Sequence, residues 1–564
     1  METEHDIYDV VIVGAGPCGL AAAARLRERT PDALFTDEEH RRFHWIGKHG
    51  GKVSLKHVKS GKMTTRRGAA RAGPPDYKMV VLDATADKWM AKWDSLFGMF
   101  DISHLRSPMI WHADPFDRDS LLAYTYENRR EKELVEIRNC VGKEVSKHGH
   151  KKNAGRQCGG KQAARVVINL RDRNDYYTPS QGVFRDHCCQ VAKRYKLDSG
   201  LIRQEGVTNI EYGYVDGVSE SSEEVFTITT DKVVRYARTV IMAVGAANVP
   251  KLPPMASVAA LTDPAVDIPA CHSMKIKEFP HPLLKQRIQT RQSTNVLVVG
   301  GGLTSAQITD LAVRRGVTKV WHIMRGRLRI KLFDLDLQWM GKYKNTEHAR
   351  FWLADSDEER LDIINEARGG GSITPVFHKQ LKKHISTGRA ELVTETQIVD
   401  AKLETIDDNG GSRRVWRVIT EPPLENAPLF DYMYFATGIQ TDLHSLPYLQ
   451  TMLVSHPIQA RGGLPCLNDD LMWKDGVPLF MMGRLAALRL GPGAANLGGA
   501  KVGAERVAWA IEDIVHRQRT KAVDSGVELS DDDEENDNKA GGMAAYLSGH
   551  GNMYSALADD DGEN

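Results

Sequence analysis

Two stretches of the chain repeat one pattern, in which a short apolar run meets a cluster of glycines and continues into small and apolar residues. The first is Tyr8-Asp-Val-Val-Ile-Val13 leading into Gly14-Ala-Gly-Pro-Cys-Gly-Leu-Ala-Ala-Ala-Ala24. The second is Asn295-Val-Leu-Val-Val299 leading into Gly300-Gly-Gly-Leu-Thr-Ser-Ala-Gln307. Continuous apolar runs of this length predict strands covered on both faces, as in a parallel sheet, and the alanine-rich continuation predicts a helix. Each copy is followed much later by another buried-looking strand that ends in small residues, Thr239-Val-Ile-Met-Ala-Val-Gly245 and Asp431-Tyr-Met-Tyr-Phe-Ala-Thr-Gly438. An α/β chain with two Rossmann-like dinucleotide-binding modules is expected.

In the first copy, Gly14-x-Gly16-x-x-Gly19 has the strand before it and the helix after it that give this motif its meaning. Gly14 allows the tight turn, Gly16 lets the backbone approach a pyrophosphate, and Gly19 lets helix and strand pack closely. Pro17 is counted among the cofactor contacts, and the unpaired N–H groups at the helix N-terminus favour phosphate. A second short strand, Ala33-Leu-Phe-Thr36, leads to Asp37 and Glu38, either of which stands at about the distance expected for the acid on an adenosine ribose.

In the second copy, Gly300 and Gly302 repeat the turn and Ser305 replaces the third glycine. The next strand, Val317 to Met324, is followed by Arg325, Arg327, Arg329 and Lys331 instead of an acid. Guanidinium groups pair with a ribose 2′-phosphate where a carboxylate would accept from a free 2′-hydroxyl. The second module is therefore expected to take NADPH, with Arg325 foremost and Arg327 beside it, the other cations belonging to a solvated loop.

Leu479-Phe-Met-Met482 predicts a last buried strand, and Gly483 to Gly499 leads into a helix over Ala500–Ile511. Glycines allow backbone to approach a flat ring, and a helix N-terminus stabilises negative charge on a reduced flavin. Gly483 and Leu497 are the contacts expected there, and close packing of small residues would produce the same pattern.

Composition adds limits. The chain has 564 residues, 41% hydrophobic and 26% charged, so it is globular and long enough for several units at roughly 150 residues each. No apolar run is long enough to span a bilayer. Seven scattered cysteines without a C-x-x-C fit a reducing cytoplasmic setting and count against a zinc ribbon or a dithiol reductase. The net charge of +1 hides an acidic tail, Val523–Asn564, with twelve acids and one lysine, and a basic segment, Gly47–Lys78, with nine Lys/Arg and one Asp. The tail reads as disordered and the basic segment as a solvated loop, so no nucleic-acid-binding face is indicated. The expected organisation is a first FAD-domain part over 1–285 with the basic loop at 47–78, an inserted NADPH domain over 286–441, a closing FAD-domain part over 442–522, and the tail over 523–564.

With these parts in this order, the chain resembles the glutathione-reductase-like two-dinucleotide flavoproteins and, more narrowly, the class B flavin-dependent monooxygenases. It is similar to the lysine and ornithine N-monooxygenases and to fungal FAD/NAD(P)-binding proteins over roughly Tyr8 to Ile511. Arg42-Phe-His-Trp45 resembles the aromatic segment after the ribose acid, which makes Trp45 a cofactor contact. Phe100 to Met109 resembles the stretch near flavin and nicotinamide, Cys271-His-Ser273 resembles the His-Ser after the first module, and Thr437-Gly438 resembles the Ala-Thr-Gly turn. The resemblance implies FAD and NADPH as cofactors, with dioxygen and a small-molecule nucleophile such as an amine as substrates. It also implies oxygenation through a flavin C4a-hydroperoxide, without metal, nucleic acid or membrane, and it allows self-association. Three departures stand out: Arg106 where an N-monooxygenase has lysine, Ile439 where it has tyrosine, and Arg484 where general flavoproteins have aspartate. Arg106 is the leading candidate for a cation at the nicotinamide or a substrate carboxylate, with a surface ion pair as its alternative. His112 and Asn496 follow, against a structural histidine and a helix cap. The competing functions are an NADPH-dependent reductase with a quinone-type acceptor and a regulatory protein that binds nucleotides without turnover.

Overall fold

The computed structural model describes residues 7–28, 52–56, 63–67, 76–138, 140–141, 170–198, 200–219, 223–245, 249–255, 268–340, 344–408 and 411–524. Two sheets organise them. The larger has the order Met472–Lys474, Val477–Met481, Val234–Met242, Ile7–Val13, Met79–Asp83, Ile202–Gln204. It is parallel from Val477–Met481 to Ile202–Gln204, with Met472–Lys474 antiparallel at the edge. The start of Val234–Met242 also pairs antiparallel with Val225–Thr230, which pairs in turn with Val207–Gly213. The smaller sheet is wholly parallel in the order Ala270–His272, Tyr432–Phe435, Asn295–Val299, Lys319–Ile323, Ala390–Val393.

Both sheets have the same plan. The strand entering the glycine turn lies in the middle, the next two lie to one side in sequence order, and the fourth lies on the other side. The central strands are buried as their apolar runs require, with Val10, Val11, Ile12, Val296, Leu297 and Val298 all at 0% exposure. The fifth strand differs. Val477–Met481 comes late in the chain, whereas Ala270–His272 precedes the strand it helps to flank.

Helix Pro17–Arg27 packs on the closing helix Leu497–Asp524. Arg25 joins them by a bidentate pair to Glu505, Nε to Oε2 and a terminal nitrogen to Oε1, both at 2.8 Å and both side chains buried. The inserted stretch is interleaved with its host. Phe333, Leu335, Trp339, Phe351, Ile363 and Ile364 fill the core beneath the larger sheet, although they fall inside the range 286–441. Within the basic segment, Lys52–Lys56 pairs antiparallel with Met63–Arg67, where a solvated loop was expected. The alternation in Lys52-Val-Ser-Leu-Lys56 and the two threonines of Met63-Thr-Thr-Arg-Arg67 suit a strand pair.

Candidate functional site

The two glycine turns are built by the same bonds. In the first, the Gly14 N–H donates to Leu82 O of the neighbouring strand at 2.8 Å, and the Ala243 N–H donates to Val13 O at 2.9 Å. In the second, Gly300 N–H donates to Ile323 O at 3.0 Å and Ala436 N–H to Val299 O at 2.8 Å. Gly14 has φ +113° and Gly300 has φ +148°, and a Cβ would come within 2.5 Å of Ala243 O at the first and 2.3 Å of Ala436 O at the second. Only glycine suits either position. At Gly16 and Gly302, the residues that start the two helices, an added Cβ meets nothing within 4 Å. That open space in front of each helix N-terminus is what a pyrophosphate needs. Pro17 takes the first helical position.

The third position separates the turns. A Cβ on Gly19 would lie 1.9 Å from Gly14 O, whereas Ser305 fits in the second turn and donates its hydroxyl to Gly302 O at 2.7 Å.

Asp37, Glu38 and Trp45 lie outside the described residues. The strand beside Ile7–Val13, where a ribose acid would be carried, is Met79–Asp83, and Asp83 ends it. Its carboxylate accepts from Ala15 N at 2.9 Å, inside the turn, and from Thr85 N at 2.7 Å.

The four cations after the second module part company. Arg327 pairs with Glu395 at 3.0 Å, and Lys331 pairs with Asp336 at 3.0 Å. The side chains of Arg325 and Arg329 are exposed and make no hydrogen bond or ion pair among the described residues. Thr437 donates its hydroxyl to Lys251 O, and Lys251 N–H donates to Gly438 O at 3.0 Å, so this turn is stitched to the segment after the first module. Gly483 approaches the first helix, since a Cβ on it would lie 3.5 Å from Cys18 Sγ. Arg484 follows it, exposed and unpaired among the described residues. Leu497 begins the closing helix and packs partly into the large core.

The three catalytic candidates are occupied elsewhere. Arg106 donates to Phe333 O at 2.7 Å, Lys331 O at 3.0 Å, Leu332 O at 3.2 Å and Ser372 O at 3.4 Å, and to the Ser372 hydroxyl at 2.9 Å. Burial pulls its pKa down to about 10, against the attraction of Asp334. A guanidinium committed to backbone carbonyls is neither a free cation for a substrate carboxylate nor a surface ion pair. His112 has no exposed surface. Its Nε2 lies 2.9 Å from Arg118 O and its Nδ1 accepts from Asp114 N at 3.2 Å, and burial holds it neutral, well below the usual histidine range. It is a structural histidine. The Asn496 amide donates to Asp334 Oδ1 at 3.1 Å, and its backbone carbonyl, not its side chain, accepts from Ala500 N at 3.0 Å. Asp334 is held from its other side by Arg368 at 3.0 Å, which also reaches Pro492 O at 3.1 Å.

No protein-family model and no curated protein matches the chain. Solved structures do. The ornithine N-hydroxylase of Kutzneria sp. 744, with reduced FAD, NADP+ and L-ornithine, is 15% identical with a TM-score of 0.55, covering 90% of this chain and 100% of that one. The reduced ornithine hydroxylase of Pseudomonas aeruginosa is 14% identical with a TM-score of 0.54, covering 90% and 100%. The FAD-bound cadaverine monooxygenase of desferrioxamine biosynthesis from Erwinia amylovora is 14% identical with a TM-score of 0.53, covering 90% and 95%. The fold is that of a two-dinucleotide flavoprotein.

Five of the described cysteines have thiols raised above the ordinary range by burial, the exposed Cys189 among them. Burial raises the thiols of Cys18, Cys271 and Cys466 to about 11 and pushes Cys188 higher still, so none is a ready thiolate. Among the described residues no group of ligands could hold a metal ion, and no helix is long and apolar enough to cross a membrane. Sequence reasoning did not single out Asp83, Ser372 or Trp111. Trp111 lies against the first turn of the closing helix, where a Cβ on Gly498 would meet its Nε1 at 2.7 Å. The adjacent Gly498-Gly499 pair was the available signal for such an approach.

Proposed function

We propose that the chain is an FAD- and NADPH-dependent monooxygenase acting on a small-molecule amine, with dioxygen as co-substrate. The observation that carries the reading is the pair of equivalent cradles, one followed by an acid at the neighbouring strand end and the other by unpaired arginines. Each cradle fits its group. Gly14, Gly16, Pro17 and Gly19 would hold the FAD pyrophosphate, Asp83 the adenosine ribose, and Arg484 would add a cation beside the first helix. Gly300, Gly302 and Ser305 would hold the NADPH pyrophosphate, with Arg325 and Arg329 on the 2′-phosphate. Bound flavin would supply hydride acceptance and oxygen activation. The chain's own tasks are to orient the two rings, with Trp111 narrowing access at the closing helix, and to keep water from the reacting atoms. The solved structures of like fold act on ornithine and cadaverine, which supports an amine substrate. The raised thiols count against a disulfide reductase. A cytoplasmic site of action fits the cysteine pattern.

Anaerobic reduction of the flavin-loaded protein by NADPH, followed by mixing with oxygenated buffer in a stopped-flow spectrometer, tests this. A transient absorbance distinct from both reduced and oxidised flavin is expected, shortened by the accepted amine. Direct return to oxidised flavin would make the chain a reductase, and absence of reduction by NADPH would make it a regulatory nucleotide binder.

A further inference from the structure

Three consecutive glycines, Gly369 to Gly371, follow helix Asp357–Arg368 and run against the second glycine turn. A Cβ on Gly371 would lie 2.9 Å from the Gly301 carbonyl carbon and 3.0 Å from Gly301 O and Gly302 N, so the two backbones touch with no room for a side chain. A Cβ on Gly369 would lie 2.9 Å from a terminal nitrogen of Arg329, one of the two unpaired arginines. The next residue, Ser372, is 3% exposed and gives both its carbonyl and its hydroxyl to Arg106. Ile373 continues the attachment, its N–H donating to Arg329 O at 2.9 Å and its carbonyl accepting from Lys331 N at 3.0 Å. Arg106 is itself fixed in the host module. Leu105 N–H donates to Pro179 O at 3.1 Å, and Met109 N–H to Tyr177 O at 3.0 Å.

We propose that Gly369–Ser372 is the second wall of the NADPH pyrophosphate site and that Arg106 is the positioning residue that holds this wall in place. The inference rests on the second turn being the NADPH site. Glycines at 369 to 371 let a backbone lie beside the turn and leave the space in front of Gly302 open. The planar fork of Arg106, reaching from the host module, sets the height of the wall through Ser372. A lysine at this position could not make the five bonds, which gives the arginine a physical reason to stand there.

The test uses the full-length, FAD-loaded protein and titrates NADP+ by calorimetry, with flavin content and thermal midpoint measured on every variant. Gly371→Ala and Arg106→Ala are each expected to weaken NADP+ about tenfold, and Ser372→Ala about threefold, with flavin content unchanged. Arg106→Lys should recover little of the loss. In turnover, KM for NADPH should rise more than kcat falls. If the wild type binds NADP+ and Gly371→Ala and Ser372→Ala bind it equally tightly, the wall is overturned while the NADPH site stands. If the wild type binds none, the reading of the second turn itself fails. Should Arg106→Ala lose its flavin through misfolding, the other two variants still decide.

Discussion

The two dinucleotide modules use one strand order and one set of turn bonds, but the host tolerates less at its turn than the insert does. In the host, Gly19 packs on Gly14 O so closely that no Cβ fits; in the insert, Ser305 occupies the same place and adds a bond to Gly302 O. The host is also locked from a distance by the Arg25–Glu505 pair, and the insert is gripped from outside by Arg106. The lesson is that the motif fixes the path of the chain through the turn, and the elements packed behind it decide how much substitution the turn allows.

The sharpest way to break this comparison is at the first and third positions of the turns. Gly14→Ala or Gly19→Ser should weaken FAD retention by about 1–3 kcal/mol or more, roughly ten- to a hundredfold, seen as colourless protein on purification. Gly300→Ala should keep the flavin and lose reduction by NADPH in anaerobic spectra. Next in size, Glu505→Ala leaves Arg25 buried and unpaired and should cost about 3–5 kcal/mol in denaturant unfolding. Glu505→Ala should release bound flavin before it affects NADP+ binding by the insert.

Acid sharpens the comparison at intermediate size. His187 in the host and His322 in the insert are held at about 4 by burial, and His112 in the host is also kept well below its ordinary value. All three stay neutral in the folded chain while the unfolded chain gains protons below pH about 6.5, so stability should fall as pH drops from there toward 4. His322→Gln should flatten the slope by up to one proton's worth, measured as unfolding free energy against pH. The smallest effects belong to Ser305→Gly, within about 1 kcal/mol for one hydrogen bond, and to Arg327→Ala. The exposed, solvent-screened Arg327–Glu395 pair should contribute little to stability, and NADPH preference should move with Arg325→Ala instead.

The paired turns were legible because their signal is local: strand, glycines and helix are contiguous, and the strand ends at Ala243 and Ala436 repeat the same small-residue pattern. Arg325 stood out for the same reason, lying just past a strand end. The role of Arg106 was not legible, because its acceptors at Lys331, Leu332, Phe333 and Ser372 lie far along the chain and all but the Ser372 hydroxyl are backbone atoms that leave no mark on residue type. The surroundings of His112 and Asn496 were equally hidden, since a buried neutral ring and an amide tied to Asp334 look the same in sequence as reacting groups. The glycines at 369 to 371 carry no sign in sequence of what they face, and only the fold brings them against Gly301. Asp83 was not singled out because its place at the end of the strand beside Ile7–Val13 appears only when the sheet is assembled.

The bond between Arg25 and Glu505 spans 480 positions of chain. On a ribosome that releases the amino end first, Ile7–Val13 emerges long before Val234–Met242 and longer still before Val477–Met481 and the closing helix. The central strands of the smaller sheet, by contrast, are all out by Phe435. The guest sheet can therefore be assembled while its host is still waiting for its last strand and its lock, so the order of synthesis places the second glycine cradle before the first, the reverse of their order in the sequence.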